Sequence, residues 1–317
     1  MKLLLTGVPG FLGTCLKKYF IAHGWSVDSM GLTGDGSDRM NGGQHFICDL
    51  SANVPEIKES YDLVIHAAGK AHVLPRTAAE RQSFYDVNVT GTQNLLRALE
   101  PVPPRSIVFI SSVAVYGAQF GERISESAPL NAVDPYGKSK IMAEEAIRSW
   151  EFSRPVSRGI VRLPLIAGPN APGNLGSMLG AMKSGRFFNI GDGRCRRSVI
   201  SVYDIAPFIE VLSEKGGIYN LTDTADISFR ELYSGIRQIV SVPYRPNLPR
   251  FIAYPLALVG EFGQIVLRRT LPFNLRRYRQ MTMSLTFDGT HANNDFKWKP
   301  ERILTHLDIL LEERTEF

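Results

Sequence analysis

Cysteine is scarce in this chain. Cys15, Cys48 and Cys195 are odd in number and widely spaced, which excludes a disulfide framework, offers no zinc pattern and suits a reducing compartment. The six histidines form no ligand cluster, so no metal is expected. Long apolar runs are also missing. The opening Met1-Lys2-Leu3-Leu4-Leu5-Thr6-Gly7 ends at a glycine before it could serve as the apolar core of a signal peptide. Phe251 to Leu267, the most apolar late segment, contains Glu261, Gln264 and two glycines, so it reads as a buried or surface-lying helix and not a membrane span. We therefore expect a cytoplasmic protein without a transmembrane segment.

Charge of one sign is not in large excess. Lys and Arg number 36 against 31 Asp and Glu, a net charge of +5. No Lys/Arg tract with interleaved aromatics runs along one helix, which argues against nucleic acid and for a phosphate-bearing small molecule. Repeats, low-complexity tracts and flexible linkers are absent. What remains is an ordinary globular composition, 44% hydrophobic over 317 residues, enough for one large or two modest cores.

The chain opens with a short aliphatic run, Lys2 to Thr6, then Gly7-Val8-Pro9-Gly10-Phe11-Leu12-Gly13, then a helical pattern through Leu16, Tyr19 and Phe20. Strand, glycine turn and helix N-terminus form a phosphate cradle, because backbone N–H groups face the anion and missing Cβ atoms let it approach. Trp25 to Met30 reads as a second strand. It runs into Gly31-Leu32-Thr33, with no carboxylate where one would hold a ribose; Arg39 is the nearest base, so NAD and NADP both stay open. Phe46 to Leu50 reads as a third strand ending in the acid Asp49. Tyr61 to Gly69 reads as a fourth, closing on the small residues Ala67, Ala68 and Gly69, across which a flat cofactor can lie. His66, inside that apolar run, reads as a core histidine.

An amphipathic helix carrying Asn88 to Leu96 follows, then a fifth strand, Arg105 to Ser112, that stops at two hydroxyls. Tyr136 and Lys140 come next, four apart at the start of a helix running to Trp150 and so on one face of it. A cation beside a phenol favours the phenolate and makes Tyr136 a candidate base. A sixth strand, Gly159 to Ile166, is stopped by Gly168-Pro169. Strand–helix alternation on this scale predicts an α/β protein: a doubly wound parallel sheet (Rossmann-like) with a smaller mixed α/β C-terminal substrate domain. The first domain is assigned residues 1–169 plus about 203–224, the second about 170–202 and 225–317. In the second, Gly191 to Arg197 reads as a basic hairpin suited to a diphosphate or as a solvated arginine turn. Leu248 to the end is expected to be mostly helical, with a basic cluster from Arg268 to Arg279.

These residues together resemble the extended short-chain dehydrogenases/reductases of the nucleotide-sugar epimerase/dehydratase type. The resemblance rests on Thr6-Gly7-x-x-Gly10-Phe11-Leu12-Gly13, Asp49-Leu50, His66-Ala67-Ala68-Gly69, Asn88-Val89-x-Gly91-Thr92, Ser111-Ser112 with Val115-Tyr116-Gly117, Tyr136-x-x-x-Lys140, Arg197 to Ala206 and Trp298-Lys299-Pro300, and it spans nearly the whole chain. It implies Ser112, Tyr136 and Lys140 as catalytic residues, with Tyr136 as acid/base on a sugar C4 hydroxyl and Lys140 lowering its pKa. It implies a nicotinamide cofactor, NAD with NADP open, on Gly7, Gly10, Phe11, Leu12, Gly13, Asp49, Leu50, Ala67, Ala68, Gly69, Asn88, Tyr136, Lys140 and Pro164. A UDP-sugar substrate would meet Ser112, Tyr136, Asn174 and Arg197, and a homodimer would pair through the helices carrying Asn88 and Tyr136.

Two departures narrow the reaction. Ser112-Val113-Ala114 stands where dehydratases of the family carry an acid pair, which argues against elimination of water. Leu165 replaces the asparagine usual in UDP-galactose 4-epimerases. Ala71-His72-Val73, Pro172-Gly173-Asn174 and Arg196-Arg197-Ser198 resemble a bacterial polysaccharide-pathway subgroup. Three readings stay open: C4 epimerisation of a UDP-hexose or UDP-N-acetylhexosamine, NAD(P)H-dependent reduction of a UDP-6-deoxy-4-keto-hexosamine, and a non-catalytic dinucleotide sensor.

Overall fold

The computed structural model describes residues 1–34, 43–71, 73–223, 225–242, 244–267, 271 and 273–310. In chain order, β1 (Lys2–Thr6) leads through the glycine turn into α1 (Phe11–Ala22), followed by β2 (Ser26–Gly31), β3 (His45–Ile47) and β4 (Leu63–His66). β3 is shorter than the strand expected over Phe46 to Leu50, because the Asp49 carboxylate accepts from the Ser51 N–H and hydroxyl at 2.9 and 2.7 Å and turns the chain. α2 (Ala78–Tyr85) has a Thr77/Glu80 capping box and runs through one π-helical turn, Asp86–Thr90, into α3 (Gly91–Leu99).

β5 (Ser106–Ser112) ends in a 3₁₀ turn, Val113–Tyr116; β6 (Gly121–Ile124) and α4 (Pro135–Ser149) follow. The sixth strand divides at Pro164 into β7 (Ser157–Leu163) and β8 (Leu165–Ala167), which belong to different sheets. Then come α5 (Gly173–Lys183), β9 (Arg196–Arg197), β10 (Val199–Ser201), α6 (Val202–Lys215), β11 (Gly217–Asn220), β12 (Ile227–Ser228), α7 (Phe229–Val240), α8 (Arg250–Leu267), α9 (Leu275–Thr282), β13 (Leu285–Phe287) and α10 (Thr290–Phe296). α5 begins at Gly173, shortly after the Gly168-Pro169 stop. The basic segment is no hairpin, since β9 pairs antiparallel with β12 and parallel with β13.

Seven parallel strands in the order β3-β2-β1-β4-β5-β7-β11 form the main sheet. Leu3, Leu4 and Leu5 are fully buried, as a strand covered on both faces must be. Leu16 and Phe20 of α1 and Phe208, Ile209 and Leu212 of α6 cover one face. Leu95, Leu96 and Leu99 of α3 and Ala143 and Ile147 of α4 cover the other. A doubly wound α/β fold is thus present. A smaller core gathers Leu179, Met182, Phe187, Leu232, Tyr233 and Ile236 between α5 and α7, beside the small sheets β12-β9-β13-β6 and β10-β8. After β13 the chain packs back on the first core through Ala292, Phe296 and Trp298.

Asp204 sits in the first turn of α6, and its Oδ2 is enclosed without a hydrogen-bond partner among the described residues. Burial, reinforced by the Glu301 carboxylate, pushes its pKa from 3.8 up to about 7. A carboxyl whose folded pKa lies above its unfolded value costs no stability below about pH 4, and the cost grows to completion at pH 7. Asp204→Asn is therefore expected to leave stability unchanged at pH 4. At pH 8 it should raise it by about 2 kcal/mol, allowing for partial solvent access; urea unfolding at the two pH values checks this.

Candidate active site

Strand order reverses between β1 and β4, and the crevice beyond their carboxyl ends is where open α/β sheets bind ligands. Its floor is packed backbone. Gly7 has φ +90° and a Cβ there would lie 2.7 Å from Ala67 C and Ala68 N, so only glycine lets the loop after β1 touch the loop after β4. The N-cap of α1 is Gly10, with no side-chain cap and no acid in the first turn. The first-turn N–H groups and the positive end of the helix dipole are thereby left for an anion. The crevice accordingly suits the diphosphate of a dinucleotide. The missing carboxylate after β2 has a steric cause: a Cβ on Gly31 would lie 1.6 Å from the Val8 carbonyl oxygen.

His66 is a core residue, as the sequence suggested. Thr92 donates its hydroxyl to the Asn88 carbonyl at 2.6 Å, so it accepts from His66 Nε2–H at 2.9 Å, and His66 Nδ1 then accepts from Thr6 at 2.8 Å. Burial lowers the imidazole to about 3, keeping it neutral. Asn88, buried in the π-helical turn, binds both sides of Lys70: its Oδ1 accepts from the Lys70 N–H at 2.7 Å, and its Nδ2 donates to the Lys70 carbonyl and to Ser139 Oγ. Its side chain thus joins the loop after β4 to α4.

The first turn of α4 carries the candidate base. Asp134 caps the helix by accepting from the Gly137 N–H at 3.0 Å, and Pro135 occupies the first turn. A Cβ at Gly137 would meet Ala132 Cβ at 2.5 Å and the Ala114 carbonyl at 2.7 Å. That glycine lets the turn after β5 press against α4, and the Ser112 side chain comes near enough to the Tyr136 phenol to act on its pKa. Lys140, one turn on, donates from Nζ to the Ile110 carbonyl at 2.8 Å and lies 4.5 Å from the Phe109 ring centre. The structure thus brings Ser112, Tyr136 and Lys140 together where β5 meets α4.

One expectation is corrected. Burial pushes the Tyr136 phenol above its usual value and Asp134 adds to this; the lowering influence is the Ser112 side chain, not Lys140. The ammonium is turned to the Ile110 carbonyl, and burial brings Lys140 itself down to about 8, with Glu144 opposing.

Sequence reasoning missed the support of this site. Ser111, Arg162 and Asn220 are register neighbours across β5, β7 and β11. Arg162 donates to both Glu144 oxygens, Nε to Oε1 at 3.0 Å and Nη2 to Oε2 at 2.7 Å, and from Nη1 to the Tyr116 hydroxyl at 3.0 Å. Ser111 donates to Glu144, and Tyr116 to Asn220 Oδ1 at 2.7 Å. An arginine in the apolar run Gly159-Ile160-Val161-Arg162-Leu163, and a glutamate four residues beyond Lys140, were the available signals, since a buried charge demands a partner.

Pro164, expected at the cofactor, lies at the β7/β8 break, and Asn174, expected at the substrate, in the first turn of α5; the Asn174 side chain is outside the described part. Arg197 is largely committed: Nη1 donates to the Met283 carbonyl at 2.7 Å and Nη2 to the Gln280 carbonyl, while burial lowers it to about 10. Arg194 and Arg196 face Asp192 and Glu231 at 3.7 and 3.5 Å. Arg39, His72, Arg268 and Arg269 lie outside the described residues.

Fold and site together define a dinucleotide-dependent enzyme of the short-chain dehydrogenase/reductase type. The chain belongs to the NAD dependent epimerase/dehydratase family, which it matches over residues 3–222, and is thus an NAD-dependent enzyme of the extended type. Among curated relatives it is similar to the N-acetyl-alpha-D-glucosaminyl-diphospho-ditrans,octacis-undecaprenol 4-epimerase of Escherichia coli O157:H7, at 27% identity over 98% of this chain and 94% of that protein. A UDP-glucose 4-epimerase of Vibrio cholerae is 24% identical over 95% of this chain and 92% of the other. The fold matches UDP-glucose 4-epimerase of Thermotoga maritima with UDP-glucose (TM-score 0.74, 17% identity, 98% and 97% of the two chains). It also matches UDP-glucuronic acid 4-epimerase of Bacillus cereus with UDP-glucuronic acid and NAD (TM-score 0.72, 19% identity, 98% and 97%).

Two outcomes are expected. Gly31→Asp, which would restore a ribose-binding acid on paper, should cost about 1–3 kcal/mol by overpacking and weaken NAD binding, checked by thermal unfolding and NAD titration. Glu144→Ala should cost about 3–5 kcal/mol by stranding a buried guanidinium, read from denaturant unfolding.

Proposed function

We propose that this protein epimerises C4 of a sugar carried on a diphosphate, a UDP-hexose or UDP-N-acetylhexosamine, while NAD stays bound. The observation that carries this is the meeting of Ser112, Tyr136 and Lys140 where β5 joins α4, in a chain of the NAD dependent epimerase/dehydratase family. Gly7, Gly10, Phe11, Leu12 and Gly13 would hold the NAD diphosphate, with Asp49 and Leu50 towards the adenine and Ala67, Ala68, Gly69, Asn88 and Pro164 beside the dinucleotide. When bound, NAD supplies the acceptor and donor of the C4 hydride. Tyr136 takes the C4 hydroxyl proton and returns it after the ketone presents its other face. Ser112 donates to the oxygen Tyr136 works on and favours the phenolate. Lys140, one turn past Tyr136 on α4, brings a buried ammonium into the same crevice beside Gly69. Ser112-Val113-Ala114 supplies no acid for dehydration. Relatives named as 4-epimerases that span nearly the whole chain support C4 as the reacting carbon.

A second reading keeps the reaction and changes the carrier from a nucleotide to a polyprenol. It is favoured by the Escherichia coli relative, whose name places the sugar on undecaprenyl diphosphate and which covers 98% of this chain.

The pure protein, incubated with UDP-N-acetylglucosamine or UDP-glucose and no added nucleotide, is expected to form the C4 epimer, and Tyr136→Phe to lower kcat by about 10²–10⁴-fold. Turnover confined to a polyprenyl-diphosphate sugar selects the second reading. Turnover only of a 4-keto sugar with added NAD(P)H makes the protein a ketoreductase and ends both.

A further inference from the structure

α8 is turned inside out for a helix on a water-soluble surface. Over its 18 residues the small side chains face the protein: Ala253 and Ala257 are fully buried, and a Cβ on Gly260 would lie 1.9 Å from the Phe273 carbonyl. The bulky residues face out, with Phe251, Val259, Phe262 and Val266 between 62% and 78% exposed. Their spacing puts them on one face of the helix. The polar residues of α8 are spent inward on the start of α9: Gln264 Oε1 accepts from Asn274 Nδ2 at 2.8 Å, and Glu261 accepts from the Leu275 N–H at 3.3 Å. An exposed apolar surface of this extent on a soluble monomer marks a docking face.

Basic side chains border it. Arg276, Arg277 and Arg279 of α9, the helix packed along α8, are exposed and form no ion pair among the described residues. An exposed apolar ridge beside exposed arginines is the composition of a helix that lies in a lipid headgroup layer. At about 27 Å for 18 residues it would lie along the surface; no described helix is long and apolar enough to cross a bilayer. A second copy of this chain fits poorly, because a two-fold contact across α8 would bring two arginine clusters together.

We propose that the α8–α9 hairpin docks the protein on an anionic lipid bilayer. Arg197 connects the hairpin to the substrate side: it bonds the Gln280 and Met283 carbonyls at the end of α9, and its strand pairs with β13 directly after α9. Docking would therefore set the sugar-diphosphate side of the site close to the headgroups. That consequence rests on the function proposed above, whereas docking does not.

The test is sedimentation of the full chain with phosphatidylcholine vesicles, with and without phosphatidylglycerol. The expected result is pelleting with the anionic vesicles only, weakened by salt. Replacing the three arginines with Gln should lower partitioning on the order of a hundredfold, about fivefold for each. Val259→Ser/Phe262→Ser/Val266→Ser should abolish it. Epimerisation of a UDP-sugar free in solution, measured on the same samples, should be unchanged in both variants. No pelleting of the wild type at low salt overturns the proposal. So does concentration-dependent self-association that the serine variant loses while vesicles are ignored. A wild type that pellets but does not epimerise leaves docking standing and removes the catalytic reading. If the serine variant fails to fold, the arginine variant and the salt series decide.

Discussion

The Arg162–Glu144 pair holds the rest of the site in place. Both side chains are at most 3% exposed, and they meet at 2.7 Å between the main sheet and α4. In so dry a place neither charge is tolerable alone, and the attraction offsets the cost of leaving water only with good geometry and further hydrogen bonds. Here the guanidinium spans both carboxylate oxygens, and Ser111 and Tyr116 take up remaining capacity. Three groups in this cluster neighbour a candidate catalytic one. Ser111 precedes Ser112, Glu144 follows Lys140 by one turn, and Tyr116 ends the turn that begins at Ser112. The pair thus binds β5, β7, the 3₁₀ turn and α4 into one unit, and Ser112, Tyr136 and Lys140 all ride on it.

A second constraint is backbone contact without intervening side chains. Gly7 against Ala67 and Ala68, Gly31 against Val8, and Gly137 against Ala114 and Ala132 each mark a place where two segments touch directly. The first forms the dinucleotide crevice and the last brings Ser112 to Tyr136. Gly31 shows the other side of this economy. The space a ribose-binding carboxylate would need is already filled by the loop that makes the phosphate cradle.

The two ends of the molecule serve different demands. The main sheet buries apolar strands on both faces and presents its polar atoms at the carboxyl edge. The α8–α9 hairpin does the reverse, hiding small and polar groups and presenting phenylalanine, valine and arginine. A surface of that kind gains free energy only when something other than water covers it. Its attachment to Arg197 ties the hairpin to β9 of the small sheet.

Much of this was legible in the chain. Leu3 to Leu5 announce a strand buried on both faces, and alternating strands and helices leave a parallel sheet as the packing solution. The glycine spacing after β1 and the four-residue step from Tyr136 to Lys140 fix local geometry, so cradle and candidate base could be read directly. Other features come from segments far apart in sequence. The Glu144–Arg162 pairing, the row Ser111–Arg162–Asn220, the Gly31–Val8 clash and the division of the sixth strand at Pro164 between two sheets all depend on which strands lie side by side. So does the direction of the Tyr136 shift, because burial of the phenol and the turning of the Lys140 ammonium to the Ile110 carbonyl arise only once the surrounding elements are packed. Sequence by itself determined the elements and their chemistry, since those follow from periodicity and local sterics. Tertiary structure alone decided which charges are paired, which glycines are obligatory and which apolar face is left to the outside, since each is a property of neighbours that the chain brings together only on folding.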